Sequence, residues 1–150
     1  MSSLTGDQFE VSTDPARLDL DAVEGFLRNS YWAANRPRDV IERSIRHSRC
    51  FGVYENTTGR QVGFARAVTD FATFVWLCDV VIHEAYRRRG LGKRLMGYIF
   101  ADPEFARIRR WILATRDAHE LYGRYGFAPF AHPERWLERV NDGTGSSGSS

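Results

Sequence analysis

The chain has 150 residues, of which 43% are hydrophobic, 13% aromatic and 27% charged. This composition is typical of one globular domain with an ordinary core, and it excludes a disordered chain, a collagen-like repeat and a disulfide-dense miniprotein. A net charge of +2 is too small to predict a nucleic-acid or membrane partner. No run approaches the roughly 20 apolar residues of a membrane span, and the first residues lack a signal-peptide pattern. We therefore expect a cytoplasmic protein in which Cys50 and Cys78 are reduced.

The hydrophobic periodicity predicts alternating strands and helices in the first half of the chain. Helices are expected over Leu18–Arg28 and from Pro37 onward, and the aromatic loop 29–36 between them is expected to form one wall of a cleft. Strands are expected over Phe9–Thr13, Arg49–Tyr54, Gln61–Val68 and Phe74–Ile82.

The second half predicts a helix from Gly92 that ends before Pro103, and then a strand over Arg110–Thr115. Asp117 and Glu120 resemble a capping box for a last helix, which is expected to reach Tyr125 and to be capped by Gly126. One or two final strands are expected over Phe127–Val140. We assign 1–140 to one domain and 141–150 to a flexible Gly/Ser tail.

The segment Arg87–Gly92 packs a strand end, two glycines and a helix start into six residues. Such a turn aims several backbone N–H groups at one point and predicts an anion site. Gly90 and Gly92 would let a diphosphate approach the backbone, while Arg87, Arg88 and Lys93 would supply positive charge. A P-loop is excluded because Arg94 follows Lys93, and a dinucleotide fingerprint is disfavoured because Leu95 stands where a third Gly or Ala is needed.

At this turn the chain resembles the GNAT superfamily of N-acetyltransferases, because Arg87–Gly92 fits the family signature Arg/Gln-x-x-Gly-x-Gly/Ala. Downstream, Leu121–Phe127 resembles the family's Leu-Tyr-x-x-x-Gly-Phe. The segment Asp79–Tyr86 is similar to the family's lead-in to the turn, although Glu84 replaces its proline. The resemblance covers residues 8–140. It implies an α/β (mixed α+β) fold with a central mixed, mostly antiparallel sheet of six to seven strands flanked by four or so helices.

The resemblance implies acetyl-CoA as a co-substrate and no metal. In such enzymes the pantetheine arm pairs with the fourth strand, the diphosphate rests on the glycine turn, and an acceptor amine attacks the thioester directly in a ternary complex. A backbone N–H of the fourth strand then holds the carbonyl oxygen. Thr115 stands where many family members carry an asparagine that contacts pantetheine. The implied cofactor contacts are Val80, Val81, Ile82, Arg87, Arg88, Arg89, Gly90, Leu91, Gly92, Lys93 and Thr115.

Two residues are predicted to be catalytic. By the resemblance, Tyr122 donates a proton to the leaving thiolate, the alternative being an ordinary core tyrosine. Asp79 is the candidate general base, because an acid within an apolar strand must be hydrogen-bonded, paired or functional. A structural carboxylate is the open alternative for Asp79, and Glu84 or His119 acting through water are alternative bases. The four histidines show no metal-binding spacing.

The acceptor cannot be read from the sequence beyond a small-molecule or peptide amine. Residues that select it are expected in the loops 31–38, 71–74 and 127–135. The alternative function is a module without catalysis, either a CoA sensor or a nucleic-acid binder. The binder would use the basic turn with Arg107, Arg109 and Arg110, and its bases would stack on the tryptophans Trp32, Trp76, Trp111 and Trp136. Because dimerisation through C-terminal strands is common in the family, a homodimer also stays open.

Overall fold

A computed structural model describes residues 8–141, so that 1–7 and nearly all of the predicted tail 141–150 lie outside the described residues. The strands are β1 (Phe9–Ser12), β2 (Arg49–Glu55), β3 (Gln61–Thr69), β4 (Phe74–Ile82) and β5 (Arg110–Ile112). The α-helices are α1 (Leu20–Arg28), α2 (Arg38–Arg46), α3 (Leu91–Phe100) and α4 (His119–Gly123).

The five strands form one sheet in which spatial order follows chain order. Neighbours from β1 to β4 pair antiparallel, whereas β4 and β5 pair parallel across the connection that carries α3. The mixed, mostly antiparallel α/β architecture with four α-helices, expected from the resemblance, is confirmed.

The expectation of six to seven strands is wrong, because the described chain adds no strand after β5. The segment predicted to supply them, Phe127–Val140, contains a short 3-10 turn over Pro133–Arg135 and is otherwise irregular. Pro129 and Pro133 each remove a backbone donor that a ladder would need. Leu137 is 97% exposed, so its apolar side chain, which made the segment look strand-like, gains no burial from the sheet.

Local sequence signals explain where the first two helices begin. α1 begins at Leu20 rather than at the predicted Leu18, because the Asp19 carboxylate caps the helix by accepting from the N–H groups of Asp21 and Ala22. α2 begins directly after Pro37, whose fixed φ of −65° suits a helix start.

Apolar side chains cover both faces of the sheet. On one face, side chains of β2, β3 and β4 pack with α3, whose buried residues are Leu91, Leu95, Met96 and Ile99. On the other face, α1 and α2 pack over Cys50 and Phe64. Both cysteines are free and buried, in agreement with the expected reduced state. Burial raises the pKa of the Cys50 thiol to about 12, so it stays protonated at neutral pH.

A β-bulge in β4 changes which face its later residues occupy. The pairing of β3 with β4 moves from Arg66↔Cys78 to Phe64↔Val81, so one residue of β3 faces two of β4. Asp79 lies in this bulge with a φ of 55°, a conformation that Asp tolerates better than most residues. The bulge therefore turns Asp79 away from the face that carries Val75 and Leu77 and towards α1 and α2.

Gly126 caps α4 as predicted, but α4 ends at Gly123 rather than at the predicted Tyr125, and its start also differs from the prediction. Phe127 N–H donates to the Tyr122 carbonyl and Gly126 N–H donates to the Gly123 carbonyl, which together form a Schellman motif with Gly126 at φ 93°. The predicted capping box is wrong, because the N-cap is Ala118, whose side chain cannot cap. The Thr115 hydroxyl instead accepts from the Ala118 N–H at 3.1 Å.

Candidate active site

The site lies where β4 and β5 stop pairing. The last paired residues are Trp76 and Ile112. Beyond them the two strands separate and leave a small cavity of about 130 Å³. This small cavity separates the β4 residues 77–80 from the residues 113–115 that follow β5. It meets a wide cleft of about 1110 Å³ that runs between α1, the end of β4, the glycine turn and α4. The wide cleft is at the upper limit of the volumes usual for small-molecule sites.

The glycine turn lines the wide cleft with backbone donors. Gly90 is the N-cap of α3 with a φ of 77°, and its carbonyl accepts the first helical hydrogen bond, from Arg94. The N–H groups of the first helical residues therefore lack an acceptor within the helix. A Cβ built on Gly90 or Gly92 would meet no atom within 4 Å, so the space in front of these donors is open. The turn can hold an anion, as predicted from the sequence.

Arginines add positive charge to this end of the cleft. Arg87 and Arg88 line it, and Arg88 has a left-handed φ of 67° that few side-chain-bearing residues adopt. Arg60, which no sequence pattern singled out, also lines it, and its Nη2 lies 3.3 Å from His83 Nε2. A dianionic group such as a diphosphate would meet three guanidinium groups here.

The residues predicted to contact the cofactor divide into three groups. Eight of them line the wide cleft, namely Val80, Val81, Ile82, Arg87, Arg88, Gly90, Leu91 and Gly92. Thr115 lines the small cavity instead. Arg89 and Lys93 do not line either cavity, and the Arg89 guanidinium lies 5.1 Å from the centre of the Tyr86 ring.

Asp79 has its two carboxylate oxygens occupied by three donors. Arg36 Nη1 and Arg66 Nε both donate to Oδ2 at 2.8 Å, and Trp32 Nε1 donates to Oδ1 at 2.8 Å. Burial raises the pKa of the Asp79 carboxyl, but Arg66 and Arg36 outweigh burial, so the pKa lies below its ordinary value. These contacts favour the structural role that the sequence left open for Asp79.

The loop between α1 and α2 forms one wall of both cavities, as its aromatic composition predicted. Trp32 joins this loop to the bulge through its bond to Asp79. Tyr31 joins it to the far side of the small cavity, because its hydroxyl accepts from the Arg116 N–H at 2.9 Å. Of the three loops expected to select the acceptor, this is the one whose residues line the described cavities.

Tyr122 lies on α4 and lines both cavities, so it stands at their junction. Its ring packs against the core and makes an edge contact with Phe127 at 6.0 Å between centroids. Burial, followed by the neighbouring Tyr31, raises the pKa of the Tyr122 phenol. The phenol is therefore protonated at neutral pH and can donate a proton or a hydrogen bond.

The described residues contain neither a cluster suited to a metal ion nor a helix that could span a membrane. Among residues 8–141, no group of three or more His, Cys, Asp and Glu side chains is placed to hold a metal ion. Within the same range, no helix has the length and apolar character needed to cross a membrane.

Comparison with known proteins agrees with the fold. The GNAT acetyltransferase domain family matches residues 46–129, which include β2 to α4. A Gibberella zeae protein inferred to be an acetyltransferase is 33% identical over 139 residues, covering 80% of this chain and 78% of that protein. The chain belongs to the GNAT acetyltransferase family.

Solved structures place the fold in the same group. A crystal structure from Xanthomonas campestris pv. campestris, of a protein inferred to be a GNAT acetyltransferase, superposes with a TM-score of 0.85 at 42% identity, covering 91% of this chain and 95% of that one. Glucosamine-6-phosphate N-acetyltransferase from Arabidopsis thaliana superposes with a TM-score of 0.64 at 12% identity, covering 89% and 99%. At that identity the second likeness concerns the fold alone.

Proposed function

We propose that this protein transfers the acetyl group of acetyl-CoA to a primary amine while both substrates are bound together. The observation that carries the proposal is the continuity of three features: an open glycine turn, an unpaired edge of β4, and a partly buried phenol at the junction of two cavities. GNAT proteins normally use acetyl-CoA, whose diphosphate, pantetheine and thioester match these features in that order.

The glycine turn fits the diphosphate. The N–H groups of Leu91, Gly92 and Lys93 at the start of α3 would donate to its oxygens, and the side chains of Arg87 and Arg88 would balance its charge. The open space in front of Gly90 and Gly92 is the observation that supports this fit, since a side chain in either place would occupy it.

The edge of β4 fits the pantetheine arm. Residues Val80 to Ile82 line the wide cleft, and on that side no described strand pairs with β4 beyond Trp76. Backbone N–H and C=O groups that lack a ladder partner are available to an extended amide-containing chain. Thr115, across the gap, already accepts a hydrogen bond from the Ala118 N–H at the start of α4.

Acetyl-CoA supplies an activated thioester, and the chain supplies orientation and a proton. We assign to Tyr122 the donation of that proton to the sulfur that leaves, because its phenol is protonated and faces both cavities. We assign to Asp79 a positioning role, because its oxygens are occupied and its pKa is lowered, which makes it a poor base.

The other two candidate bases differ in position. Glu84 lines the wide cleft close to the glycine turn, while His119 begins α4 and lines neither cavity. Either side chain would have to act through a bridging water. Glu84 is the better placed of the two, because it lines the wide cleft.

The first experiment is a thermal shift with acetyl-CoA. A ligand at a hundredfold excess over its Kd stabilises a protein by about 2.7 kcal/mol, which for this size raises Tm by roughly 5 to 10 °C. The second arm measures release of free thiol when primary amines are added. A flat response to acetyl-CoA together with a shift from NAD or ATP would contradict the proposal. Binding without transfer to any amine would favour the CoA-sensing alternative.

A further inference from the structure

The small cavity between β4 and β5 has a distinctive set of charges. Its described lining contains two carboxylates, Asp79 and Asp117, and no lysine or arginine. The wide cleft differs, because it is lined by Arg60, Arg87 and Arg88. Anion-binding groups therefore lie at one end of the site only.

Asp79 contributes no net negative charge to the small cavity. Its carboxylate contacts the guanidinium groups of Arg36 and Arg66, and all three side chains are at most 10% exposed. Two fixed positive charges next to one negative charge leave nothing to attract an external cation.

Asp117 is the carboxylate that faces solvent and lines both cavities. Arg116 Nη2 lies 3.8 Å from Asp117 Oδ2, and both side chains are about two-thirds exposed. An exposed pair at that distance is weak, so the Asp117 carboxylate can also bind a ligand cation.

Aromatic rings provide the rest of the wall. Tyr31 and Trp32 line the cavity and meet edge to face at 5.0 Å between centroids. The Tyr31 ring already holds the Arg116 guanidinium, whose carbon lies 3.8 Å from the ring centre, so an ammonium group would have to contact the rest of this wall. A carboxylate beside aromatic rings is suited to an ammonium group on an apolar body.

The size of the cavity limits what enters it. A volume of about 130 Å³ equals the space of about four water molecules in the liquid. It has room for an acetyl group and an amino-bearing carbon, so the remainder of an acceptor must extend into the wide cleft or out of the site.

We propose that the acceptor is a primary alkylamine, arylalkylamine or polyamine with no anionic group next to its amino group, and that Asp117 binds its ammonium form. This inference rests on the proposed acetyl transfer. An amino acid or an amino-sugar phosphate would bring a negative charge towards Asp117, and Arg116, the basic residue beside Asp117, lies outside the described lining of the small cavity.

The test compares matched acceptors that differ by one carboxylate: phenylethylamine with phenylalanine, and putrescine with ornithine. We expect kcat/KM to be at least tenfold higher for the member without the carboxylate. Equal or better use of the carboxylated member would overturn the inference and leave acetyl transfer intact. Absence of acetyl-CoA binding would instead overturn the proposed function.

Asp117→Asn tests the residue. We expect the KM for the preferred amine to rise about tenfold, with the Kd for CoA and the Tm unchanged, because the side chain is about two-thirds exposed and is not part of the glycine turn. Glu120→Gln is the matched control, since Glu120 is a nearby carboxylate in the adjoining helix α4 and lines neither cavity. Calorimetric titration of the CoA-saturated protein with both members of each pair tests recognition without turnover. If Asp117→Asn left amine KM and binding unchanged, or if no amine bound, the inference would fall.

Discussion

At the scale of single residues, Tyr122 is partly buried and Asp79 is almost fully buried, and the two side chains are suited to different roles. Tyr122 faces open space at the junction of the cavities, whereas Asp79 is enclosed by its own partners. A residue that acts on a substrate must reach it, so the structure favours Tyr122 for chemistry and Asp79 for positioning.

Tyr122→Phe is expected to lower kcat about 10²-fold or more, the range for loss of a general acid, while the Kd for CoA stays unchanged. Tm should change little because the ring still packs against Phe127. The measurement is single-turnover acetylation under conditions where chemistry limits the rate. Tyr125→Phe is the control, because that ring stacks on Phe100 and lines neither cavity. If Tyr122→Phe reacted at the parental rate, Tyr122 would not be the proton donor and its role would be packing alone.

Asp79→Asn is expected to destabilise the fold by about 3–5 kcal/mol in urea unfolding. The substitution leaves the guanidinium groups of Arg36 and Arg66 buried without their shared counter-charge. Because the pKa of Asp79 is lowered in the folded state, its contribution is fully present above the unfolded value of about 4. It is lost as pH falls through the lower folded value.

The difference in unfolding free energy between the parent and Asp79→Asn should therefore stay constant from pH 7 to about pH 5 and shrink only in stronger acid. A general base would behave differently. If Asp79→Asn kept its stability and lost activity with a changed pH–rate profile, the result would support Asp79 as the general base.

At the scale of elements, the bounds of β4 are those predicted from its apolar run, Phe74–Ile82. Its function depends on two features that the run does not reveal: the bulge at Asp79 and the end of pairing at Trp76. α3, by contrast, has a start that the glycine pattern placed within one residue.

Gly92→Val is expected to raise the Kd for CoA by at least tenfold, because the branched side chain would stand in front of the first N–H groups of α3. Gly92 suits this test better than Gly90, whose φ of 77° would strain any side-chain-bearing residue. Gly97→Val is the control: Gly97 lies on the same helix, has open space around it and lines neither cavity. Calorimetry measures the Kd for CoA of both variants. An unchanged Kd in folded Gly92→Val would mean that the anion binds elsewhere.

At the scale of the whole molecule, the sheet needs apolar layers on both faces, and α3 supplies one of them. Leu95→Ala should cost about 2–5 kcal/mol, because Leu95 is 0% exposed within that layer. Leu137→Ala should change stability by at most about 0.5 kcal/mol, because Leu137 is 97% exposed. Thermal unfolding of both variants measures the contrast. A large loss for Leu137→Ala would show that the segment after α4 is buried in solution.

The sequence determined the features that depend on neighbouring residues. The glycine turn, the Schellman end of α4 and most strand bounds follow from local backbone chemistry, and the two family motifs lie inside such segments. These patterns led to the correct family and fold class before any tertiary contact was known.

Only the tertiary structure decided the environment of each site residue. Asp79 meets Arg36 and Arg66, which lie 43 and 13 residues away along the chain, and this network changes a candidate base into a paired carboxylate. The predicted C-terminal strands are absent from the described residues for a related reason, which is that strands also depend on long-range contacts. A strand exists only where a partner completes its hydrogen bonds. The local sequence of Phe127–Val140 carries no information about such a partner. Long-range pairing and charge neutralisation are properties of the folded chain, so a local pattern can nominate a residue but cannot assign its role.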